Sequence, residues 1–351
     1  MSEPLEQLIQ QLNAAQTLAE PQVWQAVEWL ASEKVATGLK ADFLAALSRK
    51  GETPEEIATF ARALRDKSIQ PPIEKDWRES REILDIVGTG GDRLGTFNIS
   101  TAAAILCAAA GVTVAKHGNR AVTSQAGSAD VLEALGVRID LTPAEAARSL
   151  REHNFAFFFA QKYHPAFKDI SPARKLCAER GQRTIFHLLG PLLNPAGPSA
   201  MLAGVPRPDL CEPLARVLQS LGVRRALVVC GSVSNQSGDF LDELSTLGEN
   251  TIAEFFQERG FTVSTTAPGP FPLQPATLAD LLGGDKNQNA GIVRRILAGD
   301  ERGPKRDAVL LNAGAALVVA DKAKSFVEGW ALAAATIDGG KAKAKLEELA
   351  R

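Results

Sequence analysis

Three things are scarce in this 351-residue chain: cysteine, net charge and long apolar stretches. Its four cysteines, at 107, 177, 211 and 230, form no CxxC pair and no zinc-ligand spacing. That excludes a zinc-finger or dithiol motif and leaves reduced, mostly buried thiols, as expected of a cytoplasmic protein. Lys and Arg number 39 against 41 Asp and Glu, a formal charge of -2 with a pI near 6.2, so no general attraction to nucleic acid is expected and small-molecule partners are favoured. No apolar run reaches about 18 residues, and Met1 to Gln16 carries acids where an export signal carries bases, so neither a membrane span nor export is expected. Repeats and low-complexity tails are missing too. What the chain has is apolar material, 45% against 23% charged, enough for a large core and, at this length, for two domains rather than one.

Residues 1 to about 70, within a small helical domain expected over 1–75, are helical in pattern, with apolar positions such as Leu5, Ile9 and Leu12, or Phe43 and Leu47, at three- and four-residue spacing. Thr53-Pro54-Glu55-Glu56 is a sharp helix start: Thr53 caps, Pro54 suits the first turn and Glu56 completes a capping box. Pro71-Pro72 ends the block. From Ile83 short apolar runs alternate with helices, the rhythm of a parallel α/β sheet. Strands are expected at 83–87, 112–115, 155–159 and 226–230, with helices near 100–110, 128–135 and 143–153. Prolines 172, 191, 195 and 198 break that rhythm, so about 173–198 is expected to leave the sheet and return to the helical block. The large α/β domain is then 80–172 with 199–351. Alanine-rich helices at 309–320 and 325–337 close it, with Gly339-Gly340 as a stop.

Two loops carry chemistry. Gly88-Thr89-Gly90-Gly91-Asp92 follows the first strand and precedes a helix opened by Asn98-Ile99-Ser100-Thr101, the position where parallel sheets bind ligands. Glycines let backbone N–H groups close on phosphate oxygens, and the helix N-terminus favours an anion. A dinucleotide fingerprint would want glycine at Arg93, and no GxxxxGK[ST] occurs. Asp92 would repel a phosphate and makes sense only against hydroxyls, a cation or a backbone donor; Ser100 read alone is also a plain N-cap. After the second strand, Lys116-His117-Gly118-Asn119-Arg120-Ala121-Val122-Thr123-Ser124 and Gly127-Ser128-Ala129-Asp130 bring cations, hydroxyls and glycines to the same edge.

These runs, with His164-Pro165-Ala166, Arg183-Thr184-Ile185-Phe186, Gly190-Pro191-Leu192, Asn194-Pro195, Leu241-Asp242-Glu243-Leu244 and Lys50-Gly51-Glu52-Thr53, resemble the anthranilate phosphoribosyltransferase family of tryptophan biosynthesis, in order and over nearly the whole chain. The resemblance implies a homodimer whose protomer joins a small helical domain to a large α/β domain with a mainly parallel sheet and the active site in the hinge cleft. It implies transfer of ribose 5-phosphate from 5-phosphoribosyl 1-pyrophosphate (PRPP) to anthranilate with Mg2+. By the same resemblance Gly88, Gly91, Asp92, Thr96, Asn98, Ile99, Ser100, Thr101, Lys116, His117, Gly118, Asn119, Arg120, Ala121, Val122, Thr123, Ser124 and Ser128 line the substrates. Ser100, Asp242 and Glu243 serve the metal. An arginine for the acceptor carboxylate falls on Arg174 counting forward from His164, but the count back from Arg183 reaches Cys177, a three-residue insertion within 175–182. Cysteine cannot bind a carboxylate, so Arg174 is the expectation. His187, where the family usually has asparagine, is read as packed or capping. Three other readings share the fold: a related phosphoribosyltransferase with another aromatic acceptor, a pyrimidine nucleoside phosphorylase, against which Asp242-Glu243 and the full glycine loop argue, and a non-catalytic nucleic-acid-binding paralogue, against which the acidic balance and Lys116, Asp242 and Glu243 argue.

Overall fold

The computed structural model describes residues 3–121, 125–234, 238–257 and 260–351. Four helices come first: α1 (Glu3–Asn13), α2 (Glu20–Leu30), α3 (Thr37–Lys50) and α4 (Pro54–Asp66). The expected capping box starts α4, with Glu56 N–H donating to Thr53 Oγ1 at 3.2 Å and Thr53 N–H to Glu56 Oε2 at 2.9 Å. Glu56 also receives Lys50 Nζ at 2.7 Å in a buried pair and Leu18 N–H at 2.9 Å, so the cap ties the α1–α2 connection to the α3–α4 turn. Thr53→Ala should lower the stability of the chain by about 1 kcal/mol, read as a reduced midpoint in chemical denaturation. An unchanged midpoint would remove the cap from the account of this domain.

Strands β1 (Ile83–Gly88), β2 (Thr113–Gly118), β3 (Phe155–Phe159), β4 (Ala200–Gly204), β5 (Arg225–Ser232), β6 (Phe240–Leu241), β7 (Asn250–Phe256) and β8 (Gly260–Thr266) make one sheet among the described residues, in the order β3-β2-β1-β4-β5-β7-β8 with β6 beside β5. From β3 to β5 every pairing is parallel; β7 and β8 add an antiparallel edge. The strand expected at 112–115 runs three residues further, through Lys116-His117-Gly118. Four strands had no counterpart in the sequence reading. β4 sits centrally and wholly buried, yet its Ala-Met-Leu-Ala-Gly lacks any β-branched residue; β8 is polar and exposed.

One apolar cluster joins the first four helices, through Leu44, Phe43 and Phe60, to Ile170, Ala173 and Cys177 and on to Met201 and Leu214. The helix Phe167–Glu179 runs through Pro172. Proline there forfeits only its own N–H, and Ser171 Oγ bonds Phe167 O at 2.6 Å beside it. The expected alanine-rich helices are Pro304–Val319 and Phe326–Asp338, buried against the helix Ile99–Ala109, with Gly339 capping the second. Among the described residues no helix is long and apolar enough to cross a membrane.

Candidate active site

The chain leaves β1 for one side of the sheet and β4 for the other, so the order reverses between them, and Gly88 pairs with Gly204 at the carboxyl ends of these two strands. Such a switch point is where open α/β sheets bind ligands. Here glycine is dictated by a close approach: a Cβ on Gly204 would lie 1.5 Å from Asp242 O, and one on Gly88 would lie 2.7 Å from Asp242 Oδ2. The loop after β6 therefore lies flat across the strand ends and lowers Asp242 onto the first glycine run.

Asp242 is buried and accepts hydrogen bonds from Gly90 N–H and Gly91 N–H, and from Thr89 Oγ1 at 3.2 Å. The loop amides expected to face phosphate thus face a carboxylate. Glu243 accepts from Ser100 N–H, and Asp92 accepts from Leu94 N–H at 3.3 Å. One carboxylate oxygen from each of Asp92, Asp242 and Glu243 lies within 4.8 Å of the others. Burial, then repulsion by Asp92, pushes Asp242 up to about 7; burial, then Asp242 and Asp92, holds Glu243 well above its ordinary range, and burial raises Asp92. Three crowded oxygen ligands at a ligand-binding edge fit a hard divalent cation such as Mg2+. Asp92 was expected among substrate contacts; its repulsion of phosphate was the signal for its place in the acidic cluster.

Beneath them, Lys116 is buried, its Nζ donating to Ile86 O at 2.7 Å between Asp85 and Glu243, rather than standing in an open loop. Burial, the largest cause, lowers its pKa while the two acids raise it. Asp85 is fully buried and held by Asn194 Nδ2 at 2.8 Å and His117 N–H at 3.3 Å. No sequence motif singled it out. His117 is likewise interior, its Nε2 3.3 Å from that of His164, and burial followed by His164 drives its pKa down to about 3.

Several other expectations are revised by placement. Ser100 is not the cap, since Asn98 occupies that position and the helix begins at Ile99. Ile99 and Thr101 are fully buried, so their side chains do not line the open edge. Asn98 ties the helix start to Ala126 O at 3.2 Å and to Asn289 at 2.9 Å. Arg120 is turned to Asp130 and Glu133, at 2.8 and 3.0 Å. Asn119 Oδ1 accepts Arg120 N–H at 2.8 Å, and Asp130 Oδ2 accepts Ala121 N–H at 2.9 Å. A Cβ on Gly118 would meet Ser128 Oγ at 2.2 Å, which puts that hydroxyl over the end of β2. Thr96 bridges to Leu282. Val122, Thr123 and Ser124 lie outside the described residues.

Arg174, from the helix Phe167–Glu179, is half-buried with its guanidinium 4.8 Å over the Phe186 ring, and burial lowers its pKa. Among the described residues no carboxylate pairs with it. Cys177, the alternative register, is buried against α3 with Sγ 3.4 Å from Ala41 O, and Arg180 is exposed and paired with Asp42 at 2.8 Å. His187 Nδ1 lies 3.2 Å from Thr184 N and 2.9 Å from Thr184 O, both contacts within one local turn.

A family model described as "Glycosyl transferase family, helical bundle domain" matches residues 6–68, and one described as "Glycosyl transferase family, a/b domain" matches 80–343. The anthranilate phosphoribosyltransferase of Lacticaseibacillus casei is 50% identical over 309 residues, 88% of this chain and 86% of that one. That of Petrotoga mobilis is 45% identical over 341 residues, covering 97% and 94%. Among solved structures, anthranilate phosphoribosyltransferase from Thermus thermophilus matches with a TM-score of 0.87 at 42% identity over 98% of both chains. The Saccharomyces cerevisiae enzyme in complex with PRPP and Mg matches at 0.86 and 25% identity, over 98% and 96%. Both halves of the chain are accounted for by that one lineage, and at this identity the conclusion is direct: the chain belongs to the anthranilate phosphoribosyltransferase family.

Proposed function

We infer that the chain transfers the phosphoribosyl group of PRPP to the amino group of anthranilate, releasing pyrophosphate, with Mg2+ as cofactor. The observation that carries this reading is the convergence of Asp92, Asp242 and Glu243 on the glycine loop at the switch point of the sheet. A divalent cation held by those carboxylates supplies neutralisation of the departing pyrophosphate. The residues of the chain do the rest by position. The start of the helix Ile99–Ala109 and, beyond β2, Asn119 and Ser128 offer polar groups for the ribose and phosphates, and Arg174 offers a planar fork for the acceptor carboxylate. An arylamine nitrogen is nucleophilic without losing a proton first, so the site needs alignment and charge stabilisation rather than a general base or a covalent intermediate.

We divide the chain at 75–80, with 173–198 returning to the helical domain, a return for which the packing of Ala173 and Cys177 in one cluster with Phe43 and Leu47 speaks. We also place the reaction in the cytoplasm, for which the four free, buried thiols speak, and propose a homodimer, to be read from sedimentation equilibrium. The test of function is pyrophosphate release across a panel of aromatic amines, with and without Mg2+. Anthranilate should be the best acceptor, and no release from any amine would overturn the reading.

Lys116→Met removes the interior cation beside Glu243 while keeping most of the volume. The site becomes more negative, so the apparent KM for the anionic donor should rise by roughly 1.5–3 kcal/mol in free-energy terms, about 10- to 150-fold, and that for the acceptor much less. Equal changes in both would make Lys116 a purely structural group.

A further inference from the structure

The acidic loop is gripped just after its two carboxylates. Asn312, 1% exposed in the helix Pro304–Val319, accepts Leu244 N–H on Oδ1 at 3.0 Å and donates from Nδ2 to Leu244 O at 2.9 Å. The same Nδ2 donates to Ala308 O at 2.9 Å, which fixes the amide on its own helix. One side chain thus satisfies both backbone groups of the residue following Glu243, as a paired strand would. At the next residue Asn250 repeats the device from β7, accepting Ser245 N–H at 2.7 Å and donating to Ser245 O at 3.0 Å. From below, Gly231 sets the height: a Cβ there would lie 2.4 Å from Ser245 Cβ and 2.7 Å from Glu243 O. Leu244 itself is buried in the main core. A loop whose two carboxylates crowd each other and Asp92 would otherwise open, so the force that closes it must come from partners outside the loop.

We propose that Asn312 is a positioning residue for the cation site: by chelating Leu244 it holds Asp242 and Glu243 at their spacing from Asp92 before any cation binds. The proposal rests on the metal reading given above. Its consequence is that the cost of assembling the acidic cluster is met by a buried helix, so that Mg2+ meets a formed site.

Two measurements test it. In titration calorimetry of PRPP at a series of Mg2+ concentrations, Asn312→Ala should raise the Mg2+ concentration for half-maximal binding by about 10-fold, as loss of an outer-shell partner does elsewhere, with the anthranilate KM within about twofold. An unchanged Mg2+ requirement in a folded variant, or equal losses toward Mg2+ and anthranilate, overturns the proposal. Hydrogen exchange on the unaltered protein needs no variant: without Mg2+, the Leu244 and Ser245 amides should already be protected, whereas protection appearing only with Mg2+ and PRPP overturns preorganisation. Failure of the metal reading itself looks different. PRPP binding by the unaltered protein would then ignore Mg2+ altogether, and Asp242→Asn with Glu243→Gln would leave it untouched.

Discussion

Asp242→Asn combined with Glu243→Gln should abolish Mg2+-dependent turnover, by about 10^3-fold or more, while the fold persists. The first half follows from ligand chemistry, since a carboxamide is a poor substitute for a carboxylate on a hard cation, and losing several kcal/mol of charge stabilisation on the leaving group is a loss of that order. The second half follows from linkage. Asp242 is pushed up to about 7 and Glu243 and Asp92 are also raised, so the folded, metal-free protein binds protons more tightly than the unfolded chain. The stabilising contribution of these groups is therefore complete below about pH 4 and is lost as pH rises toward about 7, by roughly 1.4 kcal/mol for each unit of raised pKa. The double variant keeps only Asp92 of these charges, so its melting temperature without metal should fall less between pH 5 and pH 8. Added Mg2+ at pH 8 should raise the midpoint of the parent and leave that of the variant alone. Calorimetry at the two pH values checks this, and parallel pH curves for both proteins would sink the metal assignment even if activity were lost.

The sequence announced the near half of this site and hid the far half. β1, its glycine loop and the helix after it form a local unit, and glycines and apolar run can be read within 30 residues. The capping box at Thr53 is local as well, and its helix begins where expected. Asp242 lies some 150 residues from Gly88, and adjacent acids are ordinarily surface residues, so only the resemblance marked the pair. Nothing in the order of the residues says that Gly204 and Gly88 become register partners, which is what turns two glycines into a floor for the acidic loop. β4 was invisible because burial on both faces, rather than strand propensity, makes Ala-Met-Leu-Ala-Gly a strand. Lys116 was read as a loop cation because β2 was ended too early; one more turn of alternation sends its side chain inward, to Ile86 O and Asp85.

The acceptor is where the local register of the chain decides the chemistry, and Arg174 is the residue to change. Half-buried, stacked on Phe186 and without a carboxylate partner among the described residues, its guanidinium is a partly desolvated cation awaiting an anion. Arg180 differs in each respect, being exposed and already paired with Asp42 at 2.8 Å. If Arg174 holds the anthranilate carboxylate, its planar fork makes two parallel bonds that a lysine ammonium cannot reproduce, so Arg174→Lys should already impair turnover. Arg174→Ala should cost roughly 2–4 kcal/mol in kcat/KM for anthranilate, a loss of about 30- to 1,000-fold. Arg180→Ala should cost at most about 1 kcal/mol of stability from its surface pair and leave turnover unchanged. Aniline separates recognition from damage: lacking the carboxylate, it should be a poor acceptor for the parent and lose little more from Arg174→Ala, whereas a variant with a distorted cleft would lose both substrates alike. Steady-state rates for the three variants with the two amines settle the register. Anthranilate turnover that survives Arg174→Ala and disappears with Arg180→Ala would place the acceptor arginine beyond the helix Phe167–Glu179 and overturn the register through the insertion.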